Sequence, residues 1–523
     1  MMICELHMTD KKNNKYQHMK IKNIVTAAVL SLSLLGVNHL TNAQNKKAID
    51  LKLKEIKGTK KRNVIFILTD DHRYDFMGFT GKVPWLKTPN LDRMAKEGAH
   101  MKNAFVTTSL CSPSRASILT GQYSHVHTIV DNVAPDPGNL AYFPQYLQKA
   151  GYQTAFFGKW HMGDHNDKPR PGFNHWESFA GQGDYYAPNL NINGKNIQYD
   201  DQTYVTDLLT DHAVEWLDKR DKEKPFFMYL SHKAVHAMFF PAKRHNGMYA
   251  GKKIDKPDSY TQTIGSEYKK LNWPDWVKRQ RDSWHGVDYM YHGTADGTFD
   301  DLVQRYCETL MGVDDSVGTV LDWLKANGLD EDTMVIYMGD NGFSWGEHGL
   351  IDKRHFYEES VKVPMLVRCP EIFEGGKTIQ RMVQNVDIAP TILECAGLEK
   401  PKYMPGKSFV QLLKGDESNW RDKIFYEYYF EYDFPMTPTV FGVRTDKYKY
   451  IRYNGIWDTN ELYDLENDPN EIVNLIDKPE LQPLIKEFAN SLYDWLEDTN
   501  GMQIPLKRNV FHRIGDYEHP NQY

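Results

Sequence analysis

Four short polar clusters hold most of the side chains able to do chemistry: Thr69-Asp70-Asp71-His72, Gly158-Lys159-Trp160-His161, Ser231-His232-Lys233-Ala234-Val235-His236 and Gly339-Asp340-Asn341-Gly342. Taken singly, an Asp-Asp or Asp-Asn-Gly is as readily an N-cap or a turn as a ligand set. Each cluster, however, follows directly on a run of apolar residues. Ligands of open α/β sheets bind beyond the carboxyl ends of the strands, so the four clusters are expected to converge on one crevice. Asp70, Asp71, Asp340 and Asn341 bring hard oxygen donors without sulfur or imidazole, which selects calcium or magnesium over zinc. Three carboxylates packed together call for a cation.

A fifth cluster is Cys111-Ser112-Pro113-Ser114-Arg115, continuing into Ala116-Ser117-Ile118-Leu119-Thr120-Gly121. Pro113 suits the first helical position and Gly121 the end, which sets Cys111 at a helix N-terminus. That position favours anions and is expected to lower the thiol pKa. By itself the cluster describes either a reactive thiol or a buried one.

The elements that must position these groups are legible from periodicity. Val64–Leu68, Thr154–Phe157, Phe226–Leu230 and Met334–Met338 are continuous apolar runs, as expected of strands buried on both faces. Leu302, Tyr306, Leu310, Val313, Val317, Leu321 and Leu324 recur at spacings of three and four, with Gly328 at the C-terminal stop. Residues 203–219 and 139–150 carry the same helical pattern. The alternation from Asn63 to about Ala396 reads as an α/β domain, a parallel sheet covered by helices. Around 397–422 the pattern lapses, so a boundary is expected there. Ile424–Tyr432 and Val440–Tyr453 then read as antiparallel strands and Glu480–Leu496 as a helix, together a small α+β subdomain.

Cys-Ser-Pro-Ser-Arg-Ala-Ser-Ile-Leu-Thr-Gly resembles the signature of the formylglycine-dependent sulfatases, in which the cysteine is oxidised to formylglycine (3-oxoalanine) after translation. The resemblance spans roughly residues 60–500. It includes the early Asp-Asp, Gly-Lys-Trp-His, the histidine after the third strand, Asp-Asn-Gly with Glu-His-Gly and Asp-Lys-Arg, and Tyr-Glu-Glu-Ser-Val-Lys-Val-Pro. Gly339 stands where Ser often precedes Asp-Asn-Gly, and Ala-Val-His-Ala surrounds His236 in place of the commoner Pro-His-x-Pro.

This resemblance implies an alkaline-phosphatase/sulfatase-like fold, with a large mixed, mostly parallel sheet flanked by helices. It implies a catalytic domain at 60–400 and a C-terminal subdomain with an antiparallel sheet at 420–505. Cys111 becomes the nucleophile as an aldehyde hydrate, and Asp70, Asp71, Asp340 and Asn341, with residue 111, hold Ca2+ or Mg2+. Arg115 and Lys159 steady formylglycine and sulfate, Lys353 holds the sulfate, His161 is the base of the second step and His236 delivers a proton to the leaving oxygen. His348 either touches the leaving group or only packs. His232 is read as structural, and His72, Asp75, Glu358 and Glu359 as supports behind the primary groups. The partners implied are a sulfated carbohydrate and a formylglycine-generating or anaerobic maturating enzyme. Gly181–Pro188, the Glu-His-Gly-Leu-Ile-Asp-Lys-Arg segment and Asp-Pro-x-Glu-x-x-Asn-Leu at 468–475 resemble bacterial carbohydrate sulfatases, including the glucosamine-6-sulfatase-like branch. Glycosaminoglycans, mucin glycans and algal polysaccharides such as ulvan all remain open. The rival readings are a phosphate or phosphonate monoester hydrolase, a small-molecule arylsulfatase, and an inactive glycan-binding protein.

Composition sets bounds on these readings. The chain has 523 residues, with 63 Lys and Arg against 70 Asp and Glu, a net charge of −7 that argues against a nucleic-acid partner. Aromatics at 13%, including 31 Tyr and 12 Trp, serve either core packing or sugar stacking. Residues 1–43 read as a secretory signal peptide: Met19 is the expected start, Lys20 and Lys22 the basic region, Ile24–Leu35 the apolar stretch and Thr41-Asn42-Ala43 the cleavage site. The apolar stretch is too short to span a bilayer, and nothing later reads as a membrane span. The expected location is periplasmic or secreted. Cleavage removes Cys4 and leaves Cys111, Cys307, Cys369 and Cys395, too few for a disulfide framework.

Overall fold

A computed structural model describes residues 51–503, apart from 163–165, 261–264, 282, 284, 289–296, 433 and the side chain of residue 266. The expected signal peptide, with Met19, lies outside the described residues. The described residues form one compact unit.

Its centre is a ten-stranded sheet. The strands Met334–Gly339, Val64–Thr69, Phe226–Ser231, Gln153–Lys159 and His175–Phe179 lie side by side in parallel. Met365–Arg368 runs antiparallel against Met334–Gly339 at one side, and Asn189–Ile192 antiparallel against His175–Phe179 at the other. The four apolar runs are therefore the four central strands of the ten. Odd and even residues of Val64–Thr69 face different layers. Phe66 and Leu68 join the helices Cys111–Thr120, Phe143–Lys149 and Ile388–Cys395, while Ile65 and Ile67 join Val205–Lys219 and Phe299–Ala326. Each large apolar side chain so buried contributes roughly 1.5–3 kcal/mol. The 28-residue helix Phe299–Ala326 is started by a capping box, in which Asp301 N–H donates to Thr298 Oγ1 and Thr298 N–H to Asp301 Oδ2.

Two expectations change in detail. Thr69, Gly158-Lys159, Ser231 and Gly339 belong to the strands rather than to the loops after them, because their backbones continue the ladders; Lys159 pairs with Phe179, for example. The helix of the fifth cluster begins at Cys111 itself, so Pro113 is its third residue; Gly121, with φ 65°, ends it as expected.

Beyond Ala396 the chain stays packed. Met404, Phe409, Leu412, Leu413 and Trp420 from the Pro/Gly-containing stretch join the same apolar cluster as the central sheet. Lys423–Tyr428, Thr439–Thr445, Tyr448–Asn454 and Glu461–Asp464 then form a four-stranded antiparallel sheet. The helix Gln482–Asp498 covers one face of it, burying Phe488, Leu492, Trp495 and Leu496 against Val443, Tyr450 and Leu462. No helix among the described residues is long and apolar enough to cross a membrane.

Candidate active site

Backbone hydrogen bonds lace the strand ends together. Asp70 N–H donates to Ala234 O at 2.9 Å, Val235 N–H to Asp70 O at 2.7 Å, and Asp340 N–H to Thr69 O at 2.9 Å. Three of the four sequence clusters are thereby tied directly to one another. The fourth enters through Gly158, whose φ of 105° and flank against Ser231 O leave no room for a Cβ. Asp71 and His161 adopt left-handed backbone at φ 54° and 52°, a conformation uncommon for non-glycine residues.

The side chains converge accordingly. Oxygens of Asp70, Asp71 and Asp340 and the sulfur of Cys111 all lie within 4.8 Å of one another, and all four residues are buried. Cys111 Sγ is 3.3 Å from Asp70 Oδ1 and 3.4 Å from Lys353 Nζ. Lys353 also pairs with Asp71, and Lys159 with Asp70. Arg115 Nε donates to Asp340 Oδ2 at 2.8 Å, and its Nη1 donates at 2.7 Å both to Lys159 O and to Ser231 Oγ. Three cations thus face three carboxylates around one sulfur.

Burial and like charge dominate the electrostatics of the cluster. Burial, reinforced by the charges of Asp70 and Asp340, pushes Asp71 up to about 7 against the pull of Lys353. Burial and Asp70 likewise raise Asp340. Burial also opposes ionisation of Asp70, but Lys159 overcomes it and holds this carboxyl well below its usual range. Asn341 Nδ2 donates to Asp71 Oδ1 at 2.7 Å, while Asn341 Oδ1 is buried without a hydrogen-bond partner. An orphaned amide oxygen beside three carboxylates fits a hard divalent cation, for which Asp70, Asp71, Asp340 and Asn341 are the donors.

Cys111 departs from expectation. Burial and the Asp70 carboxylate push its thiol up, although the sulfur sits at a helix start with Lys159 and Lys353 nearby. The helix N-terminus is outweighed by desolvation and a carboxylate at van der Waals distance.

Both histidines of the expected machinery border the cluster. His236 Nδ1 contacts Ala237 O at 2.7 Å, which leaves Nε2 on the side of Asp70 and Cys111, 4.0 Å from Asp71 Oδ2. His161 is buried with Nδ1 unpartnered, and its carbonyl accepts from Ser112 Oγ. Burial and the Lys159 charge hold both rings neutral.

Other expected residues are engaged elsewhere. His348 Nε2 contacts Glu471 O at 2.8 Å, and its ring stacks on Tyr357 with centroids 3.8 Å apart. The ring also packs on Trp273, with centroids 4.8 Å apart, and none of these neighbours belongs to the cysteine cluster. His232 binds Ser316 Oγ at 3.0 Å, His72 lies between Tyr337 and Phe76, and Asp75 pairs with Arg73. Glu358 pairs with Arg444 and Lys449. Glu359, buried near Glu347, is pushed up to about 8 by burial and that neighbouring charge.

Two participants, Ser231 and Gln182, were given no role by the sequence. Ser231 bridges Arg115 to Lys159 O. Gln182 accepts from Lys159 through its side chain and, at 3.1 Å, from Lys233 through its main-chain oxygen. The Gly-Gln-Gly-Asp spacing marked a turn, but nothing in it pointed toward Lys159.

An α/β sheet with three cations, three carboxylates and a cysteine buried together at its carboxyl edge is an arrangement suited to the cleavage of a charged ester. The comparisons narrow the class. The sulfatase family model matches residues 62–398, and the model for the C-terminal part of N-sulphoglucosamine sulphohydrolase matches residues 346–498. The chain belongs to the sulfatase family. It is 32% identical to an N-acetylglucosamine-6-O-sulfatase of Bacteroides thetaiotaomicron over 90% of this chain and 91% of that protein. It is 27% identical to an ulvan-active sulfatase of Formosa agariphila over 93% and 90%. A solved structure in complex with its substrate D-glucosamine-2-N,6-O-disulfate superposes with a TM-score of 0.74 at 31% identity, covering 86% of this chain and 100% of that one.

Proposed function

We propose that the protein releases sulfate from ester groups on sulfated sugars, with the 6-O-sulfate of a glucosamine-type residue as its preferred target. The observation that carries this reading is the convergence of Cys111, Asp70, Asp71, Asp340, Asn341, Arg115, Lys159 and Lys353 on one buried point. The likeness to the glucosamine-6-sulfatase relative extends over nine-tenths of both chains, and supports that sugar over an algal one.

Two groups complete such a site: a calcium or magnesium ion supplies charge stabilisation to sulfate oxygens, and formylglycine at position 111 supplies a hydrated-aldehyde nucleophile. The chain's own residues do the rest. Arg115 has a buried Nη2 without a hydrogen-bond partner, a donor available to a sulfate oxygen. Lys159 keeps Asp70 ionised, Lys353 pairs with Asp71, and both place positive charge around position 111. His161, held neutral, can accept a proton at its unpartnered Nδ1. His236 can move one at Nε2, because its Nδ1 is fixed on Ala237 O. The chain is exported and matured by a formylglycine-generating enzyme in this reading. The expected result is sulfate release from 6-O-sulfated glucosamine oligosaccharides, read by mass and position of loss. Turnover of aryl phosphate with no release from any sulfated sugar overturns the assignment.

A further inference from the structure

Lys233 is a buried cation that the chemistry above does not use. It is 5% exposed, as closed in as His236 at 6%. Its ammonium donates to Gln182 O at 3.1 Å and lies 4.8 Å from the centre of the Tyr185 ring. Among the described residues no carboxylate lies within 4 Å of it, whereas Lys159 pairs with Asp70 and Lys353 with Asp71. A buried ammonium held by one carbonyl and one aromatic face lacks the close ion pair that usually offsets its desolvation, the charges of Asp70, Asp184 and Asp71 acting on it without such contact. Burial and the neighbouring Lys159 pull its pKa down to about 8, in keeping with that deficit.

Gln182 fixes where this charge stands. Its side-chain oxygen takes Lys159, the cation beside Asp70 and Cys111, and its main-chain oxygen takes Lys233. Lys233 is thus joined to Lys159 through one residue, the half-buried Gln182, and feels the charges of Lys159, Asp70, Asp71 and the exposed Asp184. The ester to be cleaved has Arg115, Lys159 and Lys353 around it already. Lys233 is the cation left for a second anion on the same sugar.

We propose that Lys233 is a substrate-binding residue that takes a second anionic substituent of the sugar bearing the scissile ester, and so favours doubly charged sugars. The inference rests on the proposed sulfatase reading. Its test is calorimetric titration of the full chain carrying Cys111→Ala, with calcium present, using glucosamine-6-sulfate and the N-sulfated form of the same sugar as probes. The parent is expected to bind the disulfate at least tenfold more tightly. Lys233→Gln and Lys233→Met are expected to reduce that preference below twofold, while Lys233→Arg retains it. Absence of a preference in the parent, its persistence in the Gln and Met variants, or an equal loss of affinity for both sugars overturns the proposal. Hydrolysis by the unsubstituted protein is measured separately, so failure of the sulfatase reading registers there and failure of Lys233 registers only in the binding ratio.

Discussion

Asn341 uses its Nδ2 on Asp71 and Gly342 O and leaves Oδ1 buried without a partner, next to carboxylates that repel one another. A cation relieves both costs together. Chelation is therefore expected to lower the melting temperature as well as activity, and Asn341→Ala to weaken calcium binding by about tenfold, read by calcium titration of each protein. Unchanged melting after chelation removes these residues from that role. Cys111→Ala is expected to cost at least about a thousandfold in turnover while sugar binding persists, because the surrounding cations and carboxylates remain. The ordinary thiol at 111 is pushed up rather than down by burial and Asp70.

At the scale of elements, the site depends on how closely strands Gln153–Lys159 and Phe226–Ser231 approach. A Cβ at Gly158 falls 1.9 Å from Ser231 O, and the backbone there is left-handed. Gly158→Ala is expected to destabilise by about 3 kcal/mol and to displace Lys159 and Arg115 together, visible as a loss of activity beyond the loss of stability. A second test concerns the C-terminal sheet. Glu461 is fully buried; burial pushes it up to about 7, although Tyr357, Tyr453 and Tyr463 all donate to it and pull the other way. An unfolded glutamate titrates near 4.5. The folded state holds this proton more tightly, so the contribution is complete below 4.5 and is lost as pH rises through 7. Between pH 5 and 8 the melting temperature of Glu461→Gln is expected to gain on that of the parent, by the equivalent of up to about 3 kcal/mol. A constant difference across that range refutes the assignment.

In the whole molecule, the C-terminal sheet is joined to the catalytic part by buried charge. Arg444 and Lys449, on adjacent strands of that sheet, both pair with Glu358, and Lys449 also pairs with Glu471 at 2.7 Å. Glu471 O in turn holds His348, in the same stretch of chain as Lys353. Removing one partner leaves the others buried and uncompensated, at a cost of about 3–5 kcal/mol. Lys449→Met is expected to lower the stability of the whole chain in one cooperative transition, followed by calorimetry. Separate melting of residues 420–505 argues that this cluster is not a coupling element.

The amino-acid sequence by itself determined the strands, the long helix and the five chemical clusters, because apolar runs, capping residues and a contiguous cysteine motif act over a few residues of chain. Asp70, Asp71, Cys111, Arg115, Lys159, His161, His236, Asp340 and Asn341 lie in those clusters, whereas Lys353 and the individual roles came only from the family resemblance. Tertiary structure alone decided the rest. Whether a histidine meets the site depends on which distant segment reaches it: Glu471, 123 residues along the chain, engages His348, while Ala237, next in sequence, turns His236 toward the sulfur. The same holds for the thiol, whose helix position predicted a lowered pKa and whose burial beside Asp70, 41 residues away, raised it. Local spacing specifies backbone; desolvation and pairing between distant groups depend on the closed fold.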